Sequence, residues 1–135
     1  MQDPVAYGVV SRIEDLTQIP QTNSESLQML RYEESQYYGV HHDLIEEQRD
    51  RPPGVRILTF YMYLNGNEDS GLEGGGTSFP KVGITVTPKK GRAALWSSVL
   101  NDHPHKKDPR TDHTALPVTK GVKFGANAVS YVGFV

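Results

Sequence analysis

The sequence predicts a mainly β protein, an antiparallel sandwich or small barrel with one helix at its N-terminus. Three observations carry that expectation. Apolar residues up to Leu16 recur at helical spacing, the chain from Leu27 onward breaks into short runs rich in β-branched and aromatic residues, and turns containing Gly and Pro separate those runs. At 135 residues the chain suits one domain with a real core and is too short for two ordinary ones.

The helix is set by its own first turn. Asp3 can cap it, Pro4 suits the first helical position, and Val5, Val9, Ile13 and Leu16 form a stripe. Pro20 and the polar "QTNSES" end it. The strand runs then follow in order. "LQMLRY" comes first, and "VRILTFYMYL" is bounded by "RPPG" and "NGNEDSG". "TSF", "ITVTP", a turn at "KKGR", "AALWSSV", "TALPV" and "VKFGANAVSYVGF" complete the series. Two long polar stretches, "DLIEEQRDRPPG" and "LNDHPHKKDPRTD", read as surface loops, where a β scaffold commonly places substrate contacts.

Composition removes several classes of function. There is no cysteine, so thiolate nucleophiles, disulfides and Cys-based zinc sites are excluded, and any metal must be held by His, Asp or Glu. A formal net charge of −2 gives no global pull toward nucleic acid or an anionic membrane. No apolar stretch approaches the ~20 residues of a membrane-spanning helix, and the first residues lack a signal-peptide core.

The sharpest local feature is "YYGVHHD". On a strand, residues i and i+2 share a face, so His41 and Asp43 can converge while His42 points away. One imidazole and one carboxylate make two corners of a two-His, one-carboxylate site, and a third ligand from a distant strand would complete it. In "HTALPVTKGVK", His113 precedes Lys123 across a turn, so an imidazole could reach the same metal and an ammonium could lie deeper in the barrel. Other signals are weaker. His103 and His105 flank Pro104 in a charged loop, "PKKGR" is turn chemistry, and "GLEGGG" lacks the Lys-Ser/Thr ending of a phosphate loop and reads as a flexible turn. Trp96 closes an apolar run and reads as core.

Together these stretches resemble the catalytic domain of prolyl 4-hydroxylases, within the Fe(II)/2-oxoglutarate dioxygenases. The resemblance runs through "DPVAYGVVSRIEDLTQIP", "ESLQMLRYEESQYYGVHHD", "RILTFYMYLN", "GGGTSFP", "ITVTPKKGRAALW" and "HTALPVTKGVKF". It implies a double-stranded β-helix, the jelly-roll barrel, with residues 1–135 forming a single domain that lacks some N-terminal elements of the family. It implies Fe(II) held by His41, Asp43 and His113, and 2-oxoglutarate held through its C5 carboxylate by Lys123, with Tyr32 and Thr77 beside it. It implies hydroxylation of proline in a peptide or protein, with O2 consumed, succinate and CO2 released, and ascorbate sustaining turnover. The family setting is the endoplasmic reticulum or secretory pathway, although the chain shows no targeting signal. Val129 and Tyr131 stand where the family usually has Trp and His, which implies a looser pocket wall. The alternative function is a jelly-roll binding module with weak or absent turnover.

Overall fold

The computed structural model describes residues 3–66 and 68–131. Helix α1 (Pro4–Thr17) begins where its cap dictates, with the Asp3 carboxylate accepting from the N–H groups of Val5 and Ala6 at 2.9 and 3.0 Å. It stops earlier than Pro20 because Gln18 adopts a left-handed conformation and returns its N–H to Glu14 O. Ten strands follow: β1 (Gln28–Tyr32), β2 (Tyr38–His41), β3 (Arg56–Tyr63), β4 (Glu73–Gly74), β5 (Thr77–Phe79), β6 (Ile84–Val86), β7 (Ala93–Ser97), β8 (His113–Ala115), β9 (Val118–Lys120) and β10 (Lys123–Tyr131). The last expected strand ran on to Phe134, and its end lies outside the described residues.

The strands form two antiparallel four-stranded sheets, ordered β1-β10-β3-β7 and β2-β8-β5-β6, with β4 and β9 paired separately. β3 shows why a sheet must be covered on one face. Thr59, Tyr61 and Tyr63 are buried in alternation while their neighbours are only half-buried. Those tyrosines pack with Phe79 of β5 and with Ala94 and Trp96 of β7, and Leu30 and Val86 close the cluster. The core therefore joins both sheets face to face. This is the double-stranded β-helix.

One expectation needs correction. "GLEGGG" is not a free turn: Glu73–Gly74 forms a strand, and Gly75 and Gly76 are buried. Gly75 has φ +71°, and a Cβ there would sit 3.1 Å from Lys123 Cδ, so its lack of a side chain lets the backbone cross close over that lysine. The two long loops are exposed over most of their length, as expected, and are anchored at their ends. Leu44 from the first, Val55 just after it and Val99 beside the second form a buried cluster with Ile57. In the second loop, buried Asp108 caps a 3-10 turn at Pro109–Thr111 by accepting from Arg110 N at 3.0 Å.

Candidate metal centre and adjoining cavity

Antiparallel pairing of β2 with β8 sets His41 directly opposite His113, so strand alternation turns both imidazoles to the same inner face. β2 ends at His41, and Asp43 lies in the bend that follows rather than on the strand. Its carboxylate still meets the imidazoles: Asp43 Oδ1 is 3.7 Å from His41 Nε2 and 3.6 Å from His113 Nε2. Candidate ligand atoms of the three residues all lie within 4.8 Å of one another. Asp43 and His113 are buried, and His41 is half-buried.

The hydrogen bonds behind these atoms decide what they can do. His41 Nδ1 lies 2.8 Å from Gly39 O, and His113 Nδ1 lies 2.9 Å from Thr111 O. A carbonyl can only accept, so each ring keeps a proton on Nδ1 and presents Nε2 to the cavity as its ligating nitrogen. Burial also lowers the His41 pKa, against a smaller opposing pull from the Gly39 carbonyl, which favours the neutral ring. Asp43 Oδ2 accepts from Thr59 Oγ1 at 2.6 Å and from Trp96 Nε1 at 3.1 Å, which leaves Oδ1 for a cation. Two imidazole nitrogens and one carboxylate oxygen, so spaced and so oriented, fit the roughly 2.0–2.2 Å bonds of a divalent metal.

The residue between two of these ligands also has a definite task. His42 Nδ1 accepts the Leu44 N–H at 3.0 Å, so the proton sits on Nε2, which donates to Asp108 O at 2.9 Å. His42 thereby fastens the segment carrying His41 and Asp43 to the turn that leads into His113. Asp112, next to His113, bonds Lys81 at 2.7 Å and Lys107 at 2.9 Å, and the two ammonium groups hold its carboxyl down at about 2. His103 and His105 are exposed and take no part in the cluster.

A cavity of about 480 Å³ extends from the triad to Lys123, with Tyr32 and Thr77 among its walls. Lys123 is 1% exposed. Among the described residues no carboxylate pairs with its ammonium; the rings of Tyr32, Tyr61 and Tyr63 lie 5.0, 5.2 and 5.5 Å from Nζ. Burial lowers its pKa to about 8. Thr77 Oγ1 shares a 2.6 Å hydrogen bond with Tyr63 Oη. Two buried polar atoms of residues lining the same space, Tyr61 Oη and Asn127 Oδ1, have no hydrogen-bond partner among the described residues. A buried cation without an anion, beside unpartnered polar atoms, fits an anionic small molecule.

Sequence reading singled out His41, Asp43, His113, Lys123, Tyr32 and Thr77, and the structure brings all six to one cavity. It missed Thr59, Trp96, His42, Tyr61 and Tyr63. Trp96 is core as expected, yet its indole N–H also supports Asp43. The available signal was the alternation of β3 and β7, but Thr59 reaches Trp96 only through the pairing register. In the register of β10 with β3, Val129 lies opposite Thr59 and Tyr131 opposite Arg56. Tyr131 Oη donates to the Glu25 carboxylate, which also accepts from Arg56 at 2.9 Å.

A double-stranded β-helix that turns two imidazoles and a carboxylate into one cavity has the frame and donor set of the mononuclear non-haem iron oxygenases. The chain belongs to the 2OG-Fe(II) oxygenase superfamily, whose family model matches residues 27–130. Within it, the chain is similar to prolyl 4-hydroxylase catalytic domains. It is 35% identical to prolyl 4-hydroxylase 1 of Arabidopsis thaliana, over 91% of this chain and 46% of that protein. It is 34% identical to prolyl 4-hydroxylase subunit alpha-1 of Rattus norvegicus, over 93% of this chain and 23% of that one. The viral collagen prolyl hydroxylase of Paramecium bursaria Chlorella virus-1, solved as its 2OG complex, matches with a TM-score of 0.79 at 28% identity, over 96% of this chain and 74% of its own. The chain thus spans about half the length, or less, of the curated relatives it matches.

Proposed function

We propose that this chain is the catalytic domain of an Fe(II)- and 2-oxoglutarate-dependent dioxygenase that hydroxylates proline in a peptide or protein, with release of succinate and CO2. The observation that carries the reading is the meeting, in one cavity, of a two-imidazole, one-carboxylate cluster with a buried lysine that has no carboxylate partner among the described residues. The kinship with prolyl 4-hydroxylases supports proline as the target.

In this reading His41 Nε2, Asp43 Oδ1 and His113 Nε2 hold the iron. When bound, Fe(II) supplies the oxygen-activating chemistry that couples decarboxylation of the 2-oxo acid to hydroxylation. The protein's own residues do the positioning. Thr59 and Trp96 take Asp43 Oδ2, so the carboxylate would hold the metal through Oδ1 alone. Lys123 anchors the far carboxylate of 2-oxoglutarate with Tyr32 and Thr77 beside it, which orients the 2-oxo end toward the triad. Leu30 and Trp96 give the cavity an apolar wall beside the reacting centre. Ascorbate serves to keep the iron reduced, and the balanced surface charge assigns no role to nucleic acid. No helix among the described residues is long and apolar enough to cross a membrane.

The test is succinate formation with Fe(II), 2-oxoglutarate, ascorbate and a panel of proline-containing peptides, with gain of one oxygen on proline read by mass spectrometry. Peptide-dependent succinate and hydroxyproline are expected together. Binding of such peptides with no succinate above a peptide-free control would favour the non-catalytic module instead.

A further inference from the structure

Tyr61 carries a feature that packing alone does not explain. It lies on β3 facing the cavity, with its ring 5.2 Å from Lys123 Nζ. Its hydroxyl is buried and has no hydrogen-bond partner among the described residues. A phenolic oxygen in that position is costly to bury unpaired, whereas Phe would fill the same volume without the penalty.

The opposite strand is shaped to receive that oxygen. Gly125 lies in the interior of β10, two residues from Lys123, where glycine weakens a strand and where its backbone does not need a positive φ. A Cβ at this position would fall 2.1 Å from Tyr61 Oη and 2.6 Å from its Cζ. The glycine therefore opens the space in which the hydroxyl sits. β10 thus gives up a side chain so that the tip of Tyr61 can lie beside the lysine-lined end of the cavity.

We propose that Tyr61 is a further cosubstrate-binding residue, its hydroxyl donating to the dicarboxylate held against Lys123, with Gly125 as the opening that admits it. The inference rests on the reading of this cavity as a 2-oxoglutarate site. It adds a neutral donor to the charged anchor, and it makes Tyr61 a determinant of how tightly this chain holds its 2-oxo acid.

Tyr61→Phe tests it, because only the oxygen is removed. With Mn(II) in place of Fe(II) to prevent turnover, 2-oxoglutarate is titrated into parent and variant by calorimetry, and Mn(II) affinity is measured separately. The variant should bind 2-oxoglutarate about tenfold more weakly, as expected for a lost hydrogen bond to a charged acceptor, with Mn(II) affinity unchanged. Ligand-free Tyr61→Phe should melt at or above the parent temperature, because the hydroxyl has no protein partner to lose. Equal 2-oxoglutarate affinity in the two proteins, or a lower melting temperature for the ligand-free variant, would assign the hydroxyl to packing and overturn the inference. Failure of the parent itself to bind 2-oxoglutarate with Mn(II) would overturn the reading of the cavity, and this inference with it.

Discussion

At the metal end of the cavity the protein completes its own hydrogen bonds. His41 and His113 each place Nδ1 against a carbonyl, and Asp43 Oδ2 is taken by Thr59 and Trp96. At the other end Lys123 is equally buried but faces three aromatic rings, with Tyr61 Oη and Asn127 Oδ1 unpartnered nearby. The first end is preorganised by protein groups and can hold its geometry without help. The second is arranged for charge that must arrive from outside. The comparison predicts that damage at the two ends will separate cleanly, with metal affinity reporting one and cosubstrate affinity the other.

The largest effect is expected from Asp43→Ala. Loss of a ligand should exceed the roughly 10–100-fold penalty typical of disturbing a ligand's support, so Mn(II) binding should fall more than about 100-fold while circular dichroism stays native. Next comes Lys123→Met, which keeps the length and apolar stem but not the charge. Removing one partner of a desolvated pair costs about 2–5 kcal/mol, so 2-oxoglutarate affinity should drop about 30-fold or more with metal affinity intact. If Lys123→Met weakened Mn(II) binding as much as Asp43→Ala does, the two ends would not be independent.

Thr59→Val sharpens the contrast from the metal side. It keeps the branched shape and deletes the 2.6 Å bond to Asp43 Oδ2, so Mn(II) affinity should fall about tenfold and the 2-oxoglutarate site should be spared. The smallest effect is in pH. The Lys123 pKa lies at about 8 in the folded protein, against about 10.4 for an unperturbed lysine. Between these values the unfolded chain binds more protons, so the ligand-free protein should gain stability as pH rises from about 8 toward 10. Over the same window 2-oxoglutarate affinity should fall, because the ammonium that attracts the dicarboxylate is being lost. Lys123→Met should remove the Lys123 contribution to both trends, and an unaltered pH dependence of cosubstrate binding in that variant would assign the titration to another group.

How much of this was legible in the sequence follows from the range over which each feature is encoded. Helix α1 was readable because Asp3 and Pro4 act within one turn, and its end was misplaced because Gln18 takes a left-handed conformation that few residues other than glycine signal. The strand runs were readable from their composition and turns. His41 and Asp43 were readable as a local pair even though β2 stops short of Asp43. The supports of that pair were not. Thr59 and Trp96 become neighbours only through the register of β3 with β7, and His42 meets Asp108 only once the long second loop has folded back. Tyr61 looked like any apolar strand residue, since an unpaired hydroxyl is a property of its surroundings. Local chemistry can be read from the chain, whereas partnership across strands needs the fold.

The pairing of His41 with His113 also bears on how the protein is kept folded. Their strands are remote in sequence, so this pair forms only after a large loop has closed and its entropy has been lost. A one-residue slip of β8 against β2 would turn His113 outward and leave no imidazole there to bind. A cation that binds only the correct register would therefore select it, adding about 2.7 kcal/mol when its free concentration is 100 times its Kd. On the reading of this site as an iron centre, the bound cation would act as a folding cofactor for the second sheet, so that chelation should lower the melting temperature of the metal-loaded protein.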